Sequence, residues 1–148
     1  MSEHTVHLEW KSSGEDFSPA NYTRNHRLTF DNGIVISASA APDYLGDAGA
    51  IDPEEMFLPS LSSCHMLTFL AVASKRNHTI VSYQDNATAY LEKNATGKMA
   101  ITRVELSPRI IFSGEKQPGA EELEILHQKA HAHCFIANSV SCEIQVKP

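Results

Sequence analysis

Three cysteines, Cys64, Cys134 and Cys142, carry most of the reactive chemistry this sequence can offer. An odd number does not make a framework of structural disulfides, which leaves redox chemistry, metal binding or inert buried thiols. Cys64 lies in Leu61-Ser62-Ser63-Cys64-His65-Met66. If Pro59 restarts a helix near Ser60, Cys64 falls in a first helical turn. There, unpaired N–H groups and the positive end of the helix dipole favour the thiolate, which is the nucleophilic form. The plainer alternative is a small core residue, because free cysteine is among the most buried side chains. Cys134 ends an apolar stripe in Ala130-His131-Ala132-His133-Cys134-Phe135, and the same alternative applies to it. Only tertiary contact could bring it to Cys64. Cys142 stands in a strand beside Ser141 and Glu143 and is read as having no part in the chemistry.

His127 and His131 are spaced i, i+4 and share a helix face, with His133 and Cys134 close behind. That grouping could begin a metal cluster. No glutamate or second cysteine completes a recognised spacing, so a polar helix face is the plainer reading. His65 follows Cys64 directly but points about 100° away around a helix, and need not touch it. Arg24, in Tyr22-Thr23-Arg24-Asn25-His26, is by default a surface cation. Glu54 has a sufficient structural role, since acids are favourable at helix starts.

The elements that must position these residues are legible from pattern. Residues 4–10 alternate loosely and read as a first strand. Residues 11–21 are rich in Ser, Gly, Asp and Pro and read as a loop. Residues 26–30 and 34–39 flank Asp31-Asn32-Gly33, a hairpin in which Asn-Gly supplies the positive φ values of a tight turn. Asp52-Pro53-Glu54-Glu55 is a helix start, with Asp52 as cap, Pro53 at the first helical position and Glu55 completing a capping box. The helical pattern runs to about Lys75, with Pro59 expected to kink or split it. From residue 66 to 73 only Thr68 is polar, as in a helix buried inside a protein or an oligomer. Residues 80–92 and 99–112 read as two long strands around a turn at Asn94-Ala95-Thr96-Gly97. Along the second, Ala100, Thr102, Val104 and Leu106 share one face, and Ile101, Arg103 and Glu105 the other. A second helix over residues 120–134 and a last strand over 141–146 complete an α+β order of antiparallel hairpins rather than βαβ units.

A chain of 148 residues with 42% apolar and 20% charged residues is expected to form a single soluble domain with a core of its own. A net charge of −6, with no basic run, disfavours nucleic-acid and anionic-membrane partners. The polar N-terminus lacks the features of a signal peptide, and the apolar run at 66–73 is too short to cross a bilayer, so a cytoplasmic location is expected. On that footing the sequons at Asn21, Asn77, Asn86 and Asn94 read as chance matches.

The segment Pro53-Glu54-Glu55-Met56-Phe57-Leu58-Pro59-Ser60-Leu61-Ser62-Ser63-Cys64-His65-Met66 resembles the first-cysteine motif of the OsmC/Ohr family. Ala132-His133-Cys134-Phe135-Ile136-Ala137-Asn138-Ser139 resembles its second. Tyr22-Thr23-Arg24-Asn25-His26 and Phe30-Asp31-Asn32-Gly33 resemble one OsmC-like subgroup, and the similarity runs from about Tyr22 to Pro148. The resemblance implies an intertwined homodimer with two long central helices between antiparallel strand layers. It also implies reduction of organic hydroperoxides, and often hydrogen peroxide, without metal or bound cofactor, at the expense of a dithiol reductant. Cys64 matches the peroxidatic cysteine, Cys134 the resolving cysteine and Glu54 the family's glutamate. Arg24 is the match for its arginine, with Arg27 the second candidate. Pro59 departs from the pattern, where a small or apolar residue is expected.

These roles make chemical sense. A thiolate breaks the O–O bond, and a guanidinium can both favour that thiolate and hold the peroxide oxygen. Glu54 would aim the guanidinium through a bidentate pair. A straight helix would hold Glu54 and Cys64 about 15 Å apart. Either Pro59 folds a short helix back, or the two come from different subunits, and a site at the dimer interface is the favoured reading. The alternative function is a non-catalytic protein of the same fold, in which the thiols line a pocket for a small ligand or a metal.

Overall fold

The computed structural model describes residues 1–148. They form two compact units, Met1–Met56 and Phe57–Pro148. In the first unit β1 (Val6–Glu9), β2 (His26–Phe30) and β3 (Val35–Ala38) make an antiparallel sheet in chain order. The β2–β3 hairpin closes over three residues. Gly33 N–H donates to Phe30 O at 2.9 Å, and only Gly33, at φ 82°, takes a positive φ. Asn32 contributes its side chain instead, accepting the Ile34 N–H at 3.1 Å. After a 3-10 turn at Pro42–Tyr44, Gly46 approaches the chain so closely that a Cβ would stand 1.6 Å from Ala40 O. No other residue type fits there.

α1 (Pro53–Lys75) starts where the sequence places it. Asp52 Oδ1 accepts the Glu55 N–H at 2.7 Å, and Glu55 Oε2 accepts the Asp52 N–H at 3.1 Å, a reciprocal capping box. Pro59 does not split the helix, contrary to expectation; α1 runs through it unbroken. A proline inside a helix costs about 3 kcal/mol. On its C-terminal side Leu61 is wholly buried, with Phe57 and Leu58 packed against the same core. A fully buried large side chain contributes about 1.5–3 kcal/mol, so Leu61 together with the partial burial of Phe57 and Leu58 is of the size needed to offset that cost. The buried stripe is Leu61, His65, Phe69 and Ala73, while Leu67 is exposed. By length and composition alone α1 would pass as a membrane span. Its stripe serves two core clusters, which is the behaviour of a helix inside a folded protein.

The second unit holds β4 (Thr79–Asp85), β5 (Thr88–Lys93), β6 (Met99–Leu106), β7 (Pro108–Ser113), α2 (Ala120–His133) and β8 (Glu143–Val146). The two long strands expected from the sequence are each broken, near Asn86 and at Ser107. Their first and last halves pair as β4–β7, and their middle halves join the sheet β5–β6–β8. Pro108 has no N–H to give a ladder, so pairing changes partner there. Asp85 ties the breaks together: Oδ1 accepts the Ser107 N–H at 2.7 Å, and Oδ2 accepts the Ser62 hydroxyl from α1. β8 runs parallel to β6, the exception to an otherwise antiparallel arrangement. The expected face alternation of β6 holds only over its second half: the register skips Thr102 opposite Tyr90 and Leu91, and Ile101, expected on the other face, packs against the same core as Val104 and Leu106. Val104 and Leu106 are fully buried, while Glu105 pairs with Arg103 and Lys147.

Removing the Asp85 carboxylate leaves a partly buried backbone N–H and a serine hydroxyl without their acceptor. Asp85→Ala is expected to lower stability by about 1–3 kcal/mol, measured as the urea midpoint at fixed protein concentration. An unchanged midpoint would show that the strand breaks need no stitch.

Candidate active site

One end of the second unit's core is built from Leu61 of α1, Val104 and Leu106 of β6, and Cys134, all fully buried. Cys64 packs against this cluster from α1 and is half-buried. Both thiols are free. Cys134 is the residue at which α2 ends. Its φ of −73° and ψ of 115° leave the helix, and the chain turns at Ala137–Ser139, with Asn138 N–H donating to Cys134 O at 3.0 Å. That turn aims the Ala137 N–H at Cys134 Sγ, 3.4 Å away.

The two sulfurs are unlike. Burial, and then the hydrogen-bonded Cys64 thiol beside it, push Cys134 up to about 11. Cys134 therefore keeps its proton near neutral pH. Cys64 is the member of the pair that a solute can reach. The helix-terminus argument made for Cys64 does not hold, because an unbroken α1 places it in mid-helix, away from unpaired N–H groups.

In the first unit, Arg24 is fixed by its own loop. Nη1 donates to Tyr22 O at 2.9 Å, Nη2 to Pro19 O at 2.7 Å, and Cζ lies 4.1 Å from the centre of the Tyr22 ring. It makes no ion pair with Glu54, so the expected aiming role of that carboxylate is not seen within the protomer. Arg27 is exposed on β2, opposite Glu9 and Ser37. Because α1 is uninterrupted, no short folded-back helix forms at Pro59. Ten residues at 1.5 Å each separate Glu54 from Cys64 by about 15 Å along the helix.

His127, read as part of a polar helix face, is a core residue, and so is His65. His65 and His127 are 1% and 5% exposed, and His65 Nε2 lies 3.1 Å from His127 Nδ1. The rings are near parallel, and the Phe69 ring lies 4.5 Å from that of His127. One nitrogen must hold the proton and the other the lone pair, so the contact needs at least one neutral ring. Burial pushes both down to about 4. The charge of His131 adds to this for His65, that of His65 does so for His127, and Asp85 opposes both. His127 Nε2 and the Tyr83 hydroxyl are buried without a hydrogen-bond partner, and burial raises the tyrosine above its usual range. His131 and His133 are exposed on α2. No three His, Cys, Asp or Glu side chains converge as a metal site would require. Cys142 packs beside the Cys134 cluster from the start of β8, with its thiol raised by burial.

A family model of OsmC-like proteins matches residues 46–148. The chain belongs to the OsmC-like family. The structure of an OsmC-like protein of unknown function from Vibrio cholerae is 44% identical, with each chain covering 99% of the other, and superposes with a TM-score of 0.95. The organic hydroperoxide resistance protein OhrB of Bacillus subtilis shares the fold at 18% identity, covering 99% of this chain and 97% of that one, with a TM-score of 0.72. An organic hydroperoxide resistance protein of Legionella pneumophila does so at 20% identity, 99% and 96% coverage and a TM-score of 0.70. No curated protein matches the sequence significantly.

In this OsmC-like protein, Asp85, Tyr83 and the His65–His127 pair escape a reading by local pattern. The signal that would have found His65 is the i, i+4 spacing of Leu61, His65, Phe69 and Ala73, which puts it on the buried stripe of α1. The pair makes the fold acid-sensitive. Below their ordinary value of 6.5 the histidines bind protons when unfolded, but in the folded state only near 4. Their contribution to stability is therefore complete above pH 6.5 and is lost as pH falls toward 4. The denaturation midpoint should drop between pH 7 and pH 5, and a His65→Leu, His127→Phe double variant should flatten that drop. Equal midpoints for the wild type at both values would mean that the pair is not buried neutral.

Proposed function

We propose that this protein is a thiol peroxidase that reduces organic hydroperoxides, with hydrogen peroxide as a lesser substrate. The observation that carries the reading is the pairing of a reachable thiol, Cys64, with a buried, protonated one, Cys134, in a single core cluster. Relatives of the same fold that are described as organic hydroperoxide resistance proteins support it.

The cycle balances with these two residues and an external dithiol. The Cys64 thiolate attacks the distal peroxide oxygen and the O–O bond breaks. Cys64 becomes a sulfenic acid, and the alkoxide leaves as the alcohol after taking a proton. The Cys134 sulfur then displaces hydroxide from the Cys64 sulfenic acid. A Cys64–Cys134 disulfide forms and water departs with the Cys134 proton. The Ala137 N–H steadies negative charge on Cys134 sulfur as it reacts. A dithiol reductant returns both thiols by exchange, itself becoming a disulfide. Arg24 is the cation assigned to the thiolate and to the leaving oxygen, and Glu54 its supporting carboxylate.

The site is assigned to the interface of a homodimer, since Glu54 and Cys64 are too far apart along α1 for one local cluster. Leu67, Val81, Ile111 and Phe135 are large apolar side chains exposed on the protomer, a pattern that a partner subunit would cover. A cytoplasmic setting, where dithiol reductants are held reduced, suits this cycle.

Peroxide consumption with a dithiol reductant tests the reading. Wild type should turn over cumene hydroperoxide, and Cys64→Ser should not. Cys134→Ser should stop after one equivalent with Cys64 over-oxidised. Arg24→Ala should lower kcat/KM by about 10²–10³-fold, the scale for removing a group that stabilises developing oxyanion charge. If Cys64→Ser and wild type consume peroxide equally slowly, the protein is not a peroxidase.

A further inference from the structure

We infer that the hollow beside Arg24 holds the organic part of the substrate and selects a hydroperoxide carried on an aromatic ring over one carried on a straight alkyl chain. This rests on the peroxidase reading and names its substrate class more narrowly. The hollow lies within the first unit, encloses about 620 Å³, and is walled by Trp10, Phe17, Tyr22, Arg24, His26 and Pro53. Such a volume is ample for a compact ring compound, and the chemistry of the walls, not the volume, sets the preference.

The walls are rings arranged in series. The Phe17 ring meets Trp10 edge-on at 5.9 Å and Tyr22 at 5.0 Å, and the Arg24 guanidinium continues the row over Tyr22. Trp10 Nε1 donates to Thr23 O at 2.8 Å, which satisfies the indole's polar atom and fixes its plane. Phe17 is nonetheless 72% exposed, held in place by other rings yet open to whatever enters. An aromatic guest gains burial and also edge-to-face contact with these rings, whereas an alkyl guest of equal apolarity gains burial only. At the cationic end, two of the five guanidinium donors are taken by Tyr22 O and Pro19 O, which leaves donors for a peroxide oxygen. One row of side chains thus offers an apolar seat for a ring and a cation for the oxygens attached to it. Trp10, Phe17 and Tyr22 would be specificity-determining residues.

Trp10 is the only tryptophan, so its emission reports on this hollow alone. The probes are product alcohols, which bind without turnover, added to the reduced wild-type protein. They are cumyl alcohol and hexanol, whose partitioning into octanol is similar. Cumyl alcohol should change Trp10 emission saturably and about tenfold more tightly than hexanol, as expected for one or two ring contacts. Phe17→Ala, at an exposed position, should bring the two affinities close together. No response to either alcohol, as when a side chain of a second copy fills the hollow, overturns the inference, and so does an equal response to both. Failure of the parent reading looks different: wild type would consume no hydroperoxide, whatever Trp10 reports.

Discussion

Cys64 and Cys134 meet because the middle of α1 and the end of α2 are both pinned to one buried layer of β6. Leu61 lies one turn before Cys64 and is wholly buried against Val104 and Leu106, so α1 cannot rotate or slide without opening the core. Cys134 is the residue at which α2 stops, and the turn after it returns the chain toward β8, whose Ile144 and Val146 stand opposite Val104 and Leu106. The sulfur pair is therefore set by hydrophobic packing from three directions rather than by any local motif. It also explains why α1 tolerates Pro59: a break there would free Leu61, which anchors the turn of α1 that carries Cys64.

The same burial that joins the sulfurs makes them unequal. A deeply buried thiol with a sulfur neighbour holds its proton, and a half-buried one is open to reagents. That asymmetry suits a division of labour in which one cysteine meets the oxidant and the other waits to close the bond. Polar groups deeper in the protein are handled differently. Asp85 satisfies a serine and a backbone amide where the strands break, whereas the single His65–His127 contact requires at least one neutral ring and leaves His127 Nε2 without a partner.

Much of this was legible in the sequence where local rules decide. The Asp52–Glu55 capping box, the Gly33 turn and the end of α2 at Cys134 follow from residue type and period. The two cysteine motifs carried the family. What local reading could not give is what long-range packing decides. Pro59 reads as a helix break, and only burial beyond it overrides that. Asn86 and the Ser107-Pro108 step do mark strand ends, but strand-like residues on both sides of each hide the change of sheet. His127 reads as one of a polar pair with His131, yet four residues along α2, about 6 Å further toward its end, the same face passes from buried to exposed. The position of Arg24 in its loop depends on the carbonyls of Pro19 and Tyr22, which no spacing rule indicates.

The central claim is that the two sulfurs exchange a bond when peroxide arrives. Mass spectrometry of the reduced protein after one equivalent of an alkyl hydroperoxide measures this directly. The account predicts loss of the mass of two hydrogens and a single cross-linked peptide pair joining Cys64 to Cys134, reversed by a dithiol. An unchanged mass, or a bridge or oxygen adduct confined to Cys142, would contradict it.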